Sequence, residues 1–185
     1  AIAAIAEVRS LIDGSTPKAT RIIAHTNIGL AMLNLDRPVD AVRLLDAVRS
    51  DVAVLTGRRP PEFYLLCRGW AELGCGEVPA ALRSFLAGVP VHAPAIADRQ
   101  SAETYLGVGC ALAELAHPAA ADSLATALEL TRRVQLTLPP AMNRVVARTT
   151  QQLELTGSPD LAGVPTDGLL ERLHRTLLDI VDGSG

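Results

Sequence analysis

The sequence predicts an all-α protein: a solenoid of antiparallel helix pairs with a period of about forty residues, closed by a C-terminal capping helix. Three observations carry this prediction. Related residues recur at a spacing of 40: Gly29, Gly69 and Gly109, then Ala41, Ala81 and Ala121, then Leu35, Cys75, Leu115 and Leu155. A fixed period in this range belongs to stacked repeat architectures. Apolar residues step by three and four almost throughout, and no stretch shows the alternation of a strand. Of the 185 residues 49% are hydrophobic but only 3% are aromatic. Ala and Leu therefore fill the apolar positions, which suits close helix packing better than a β-sandwich.

The elements follow in chain order. Val8-Arg9-Ser10 lies one period before Val48-Arg49-Ser50. Residues 1–13 therefore read as a half repeat, the second helix of a pair whose first helix lies upstream, and the chain as a piece of a longer protein. Ser15-Thr16-Pro17 opens a helix over 18–35. Asp36-Arg37-Pro38 turns the chain into a second helix reaching Val54, which completes a first repeat over 18–55. Gly57-Arg58-Arg59-Pro60-Pro61 is a loop. Helices over 62–73 and 78–87, divided at Gly74-Cys75-Gly76, form the repeat 60–95, with a loop from Pro90 to Pro94. Helices over 97–115 and 119–136, divided at His117-Pro118, form the repeat 97–136. Pro139-Pro140 opens a seventh helix, read as the first helix of a degenerate fourth repeat over 139–157. Residues 158–166 are a linker, and an amphipathic helix over 167–182 ends the chain. One pair cannot bury its apolar faces alone; stacking the pairs makes a continuous core.

Composition excludes several function classes. The net charge of −3 supplies no bulk attraction for nucleic acid, so no direct nucleic-acid binding is expected. No apolar run approaches the ~20 residues of a membrane span, and the N-terminus lacks a charged-then-apolar leader pattern. A cytoplasmic location with no membrane contact is expected. Cys67, Cys75 and Cys110 have no metal-ligand spacing and read as reduced, buried thiols. His25, His92, His117 and His174 are scattered, and no phosphate loop or hydrolase motif occurs. No catalytic residue, cofactor or metal is expected, and the chain does not read as an enzyme. Of 17 basic residues only Lys18 is a lysine, the usage of a GC-rich bacterial genome. The pairs Arg58-Arg59 and Arg132-Arg133 read as solvated side chains.

Within each pair the pattern is similar to the tetratricopeptide repeat, which sets a small residue in its first helix against an Ala and a large apolar residue in its second. The first pair has Gly29, Ala41 and Leu45, and the second has Gly69, Ala81 and Phe85. The third has Gly109 and Ala121, with Ala125 in the large position, or Leu124 if the turn is one residue shorter. The family's usual period is about 34, so each repeat here is longer. The resemblance implies a concave face lined by first helices. By position that face would hold Ile23, Thr26, Asn27, Leu30, Phe63, Leu66, Cys67, Trp70, Leu106 and Cys110, with Val146 and Thr150 beyond. Trp70 would be an aromatic anchor in an apolar groove or, alternatively, part of the core. Asn27 would bond the backbone of an extended peptide or a neighbouring helix. Thr26, Leu30, Leu66 and Trp70 stand where the family's carboxylate clamp needs polar and basic residues, so an acidic tail is a poor ligand.

The resemblance implies a binding module. The expected partner is a peptide, a protein or an apolar small molecule in the concave groove, and homodimerisation is an open option. The leading expectation is the sensing domain of a larger cytosolic bacterial regulator of transcription. The alternatives are an interaction scaffold and a receptor or sequestering protein for hydrophobic small molecules. The C-terminal helix, with Leu169, Leu173, Leu177 and Val181 on one stripe, either caps the stack or lies in the groove.

Overall fold

The computed structural model describes residues 2–56, 60–89, 98–153, 161 and 163–183. Among them are ten α-helices and no strand: α1 (Ile2–Ser10), α2 (Lys18–Asn34), α3 (Pro38–Asp46), α4 (Arg49–Thr56), α5 (Glu62–Gly74), α6 (Val78–Gly88), α7 (Arg99–Glu114), α8 (Ala120–Arg133), α9 (Pro140–Gln152) and α10 (Thr166–Gly183). The protein is all-α.

The short turns are set by local chemistry. After α2, α5 and α7 the chain passes through one left-handed residue, Asp36 (φ 62°), Gly76 (φ 80°) and Ala116 (φ 52°). In each turn the next amide donates back to the helix: Arg37 to the Met32 carbonyl at 2.8 Å, Glu77 to Glu72 at 2.9 Å, His117 to Leu112 at 2.9 Å. These bonds satisfy carbonyls that a helix end leaves free. The three left-handed residues are forty apart, although only Gly76 is a glycine. Proline at or near the start of α3 and α6 then launches the second helix, where the missing N–H is not needed.

The helices pair as α2 with α3, α5 with α6, and α7 with α8. Small residues set these contacts. A Cβ on Gly69 would lie 2.6 Å from the Phe85 ring, and one on Gly109 would lie 2.9 Å from the Leu124 backbone; on Gly29 it would sit 3.4 Å from Leu45. In the third pair Leu124, not Ala125, meets the glycine. Ala120 is buried there while Ala121 is exposed, so the turn is one residue shorter and the expectation for Ala121 is corrected. Phe85 also fills the space beside Gly107 and stands edge-on to Trp70, with ring centroids 5.5 Å apart.

The predicted helix 38–54 divides. Tyr64 donates its hydroxyl to the Leu45 carbonyl at 3.2 Å, and Val48 and Val52 turn into the core. The offset lets α4 pack on α2, where Asp51 pairs with Arg21 at 2.6 Å. Helix α7 begins after an Asp98 cap that accepts from the Ser101 amide. Helix α8 ends at Arg133, three residues early, because Gln135 is left-handed. Residues 57–59 of the predicted loop 57–61, with Arg58 and Arg59, the predicted loop 90–94 with His92, and residues 158–160 and 162 of the linker 158–166 lie outside the described residues.

The largest departure is α9. As the first helix of a fourth pair it would stack beside α8. Instead it packs across α7, α5 and α2. Helix α10 takes the place beside α8, burying Leu169, Leu170, Leu173 and Leu177.

Candidate functional site

Helices α2, α5 and α7 are the first members of the three pairs, and together they form the seat on which α9 lies. The buried stripe of α9 is Ala141, Met142, Val145, Val146 and Thr149, spaced at helical steps that put them on one face. Thr149 donates its hydroxyl to its own Val145 carbonyl at 2.9 Å. The same residue sits against Cys110 of α7.

Two ion pairs mark the rims of the seat. Arg144 pairs with Asp36 in the turn after α2. Arg148 pairs with Glu114 at the end of α7, at 2.6 Å. Both arginines thus stand near helix C-termini, where the dipole favours a cation. Both remain largely exposed.

The residues assigned to the concave face divide into two groups. Thr26, Leu66, Cys67, Trp70, Leu106 and Cys110 are buried, and Leu30 and Phe63 are half-buried against the same core. They form no open apolar groove in this arrangement: Cys110 lies against Thr149 of α9, and Trp70 against Phe85 of α6. Thr26 donates to the Ile22 carbonyl of its own helix. Trp70 is 1% exposed, and its indole N–H meets no acceptor among the described residues. Burial pushes the Cys67 and Cys110 thiols up to about 12, so neither is a nucleophile at neutral pH. Ile23 and Asn27 are exposed on α2 and stay free of α9's cover. No hydrogen bond joins Asn27 to a neighbouring helix among the described residues.

A second concavity lies between α4, α5 and α6, with a volume of about 440 Å³. Its floor is a closed polar network. Arg68 donates to Glu72 at 2.7 Å and to the Tyr64 hydroxyl at 3.1 Å, and pairs with Asp46 at 2.8 Å. Ser84 donates to the other Glu72 oxygen at 2.6 Å. The Ser84–Glu72 bond ties α6 to α5, and the Arg68–Asp46 pair ties α5 to α3. The i,i+4 spacing of Arg68 and Glu72 is the sequence signal that would have found it.

Arg133 departs from its expected solvated role. With Arg132 it clamps the Glu129 carboxylate, which is held down to about 2 by Arg132 and then Arg133. Its remaining N–H groups reach the Leu161 and Val164 carbonyls and fix the approach to α10. Among the described residues no group of three or more His, Cys, Asp or Glu could hold a metal, and no helix is long and apolar enough to cross a membrane. No family model, curated protein or solved structure matches the chain.

Proposed function

We propose that the chain is a non-enzymatic binding module of tetratricopeptide-like helix pairs whose α2–α5–α7 face receives a protein or peptide partner. In this reading it is the sensing or interaction part of a larger bacterial regulator. One observation supports it above the others: that face carries an amphipathic helix, α9, lying across the first helices of three successive pairs. A surface that seats one helix has the width and apolar lining to seat another. Such a module would act by differential affinity, the partner favouring the arrangement in which α9 is off the face.

Val146→Asp tests the reading. It puts a charge beneath α9 without altering the face itself, and α9 should lift. Cys110, 0% exposed and touching Thr149, should then alkylate with iodoacetamide, while helix content by circular dichroism stays near wild type. A variant that unfolds wholesale, or keeps Cys110 protected, would make α9 an ordinary core helix and remove the support for a binding face.

A further inference from the structure

Helices α9 and α10 are attached in different ways. Helix α10 buries four leucines and is held at its entry by Arg133. The buried stripe of α9 holds two valines, one methionine, one alanine and one threonine, and its only leucines, Leu138 and Leu153, flank its two ends half-buried. Burial scales with apolar area, so α9 occupies its seat more weakly than an ordinary core helix would. Its charged contacts lie at the rims, where exposed ion pairs add little affinity but set register and choice of partner. Asp36 and Glu114 offer two carboxylates to an occupant. Arg144 and Arg148, one helical turn apart, are the matching cations.

We propose that α9 is an intramolecular stand-in for a partner's helix. That partner is an amphipathic helix bearing two basic side chains four residues apart, aimed at Asp36 and Glu114, with larger apolar residues beneath. Binding displaces α9, and helices that carry the basic pair are favoured about 10-fold over those that lack it. This inference rests on the binding-module reading and adds to it the chemistry of the partner and the regulation of the face.

The test uses the full chain and a fluorescein-labelled synthetic peptide of residues 138–153. The peptide should bind the Val146→Asp chain at least ~10-fold more tightly than wild type, because the internal competitor is removed. A peptide with glutamate at both arginine positions should bind about 10-fold more weakly, an upper-end loss for two exposed pairs. A Thr149→Cys chain supplies the control that does not depend on opening by a buried charge. Oxidation should join the introduced thiol to Cys110 and abolish peptide binding, and dithiothreitol should restore it.

Equal binding of the arginine and glutamate peptides would overturn the proposed recognition. Binding unaffected by the disulfide would place the peptide elsewhere and overturn the site. Conversion of the opened chain to a stable dimer would make a second copy the occupant and overturn the heterologous partner. Failure of Cys110 to alkylate in Val146→Asp defeats the binding-module reading itself. Alkylation without peptide binding defeats only the present inference.

Discussion

At the scale of the residue, three glycines forty apart do unequal work. A Cβ added at Gly109 would lie 2.9 Å from the Leu124 backbone, an atom that cannot rotate away, whereas one added at Gly29 would lie 3.4 Å from the Leu45 side chain. Gly109→Ala should therefore cost about 1–3 kcal/mol through overpacking. Gly29→Ala should be neutral, or stabilising by up to about 1 kcal/mol, because alanine is the better helix former. Urea denaturation of both variants checks the pair, and equal losses would contradict the geometry. A Cβ added at Gly69 would lie 2.6 Å from the Phe85 ring. That ring is fully buried and bounded by Gly107 and Trp70, so it has no space into which to yield.

At the scale of the element, Arg133 shows how one side chain places a helix. Its bonds to Glu129, Leu161 and Val164 tie the end of α8 to the start of α10. Arg133→Met keeps much of the stem but removes these bonds and should cost about 2–3 kcal/mol. Amide exchange over α10 should accelerate more than over α5 or α7. Uniform acceleration would mean that α10 does not open separately. In α9, the rim arginines contribute little to overall stability, so Arg144→Ala and Arg148→Ala act on occupancy of the seat rather than on the fold.

At the scale of the whole molecule, two buried carboxylates oppose each other in pH dependence. Burial raises the Glu103 carboxyl above its usual range, against the pull of Arg99, so the folded state holds its proton more tightly than the unfolded state does. Stability should rise as pH falls from neutral through the folded value towards about 4.5, where the unfolded group also protonates. Glu129 is depressed to about 2. Its contribution is full above the unfolded value and is lost as pH falls from there through about 2. The chain should therefore be most stable on the acid side of neutrality. Glu103→Gln should flatten the stability slope above about pH 4.5 and raise the melting temperature at neutral pH. A variant that keeps the wild-type slope would assign that slope to another group.

Much of this architecture is legible in the sequence because its signals are local. Turn positions, proline starts and the small-residue stripe act within a few residues or one helix pair, so Gly29, Gly69 and Gly109 and the caps at 36, 76 and 116 can be read from spacing. The one-residue shortening that substitutes Ala120 for Ala121 is also local, but Ala121 and Ala125 mask it by being small in either register. The candidate site was only half legible. A first-helix position identifies the face that carries Trp70 and Cys110, yet nothing in that pattern says whether the face is open. The stripe Ala141, Met142, Val145, Val146 and Thr149 states that α9 has one apolar side and leaves open which surface receives it. The all-α class and the pairing of α2 with α3, α5 with α6 and α7 with α8 were thus determined by the sequence by itself. The seating of α9 on α2, α5 and α7 was decided only in the tertiary structure, because hydrophobic burial is non-directional and the rim contacts of Arg144 with Asp36 and Arg148 with Glu114 exist only once distant helices are brought together.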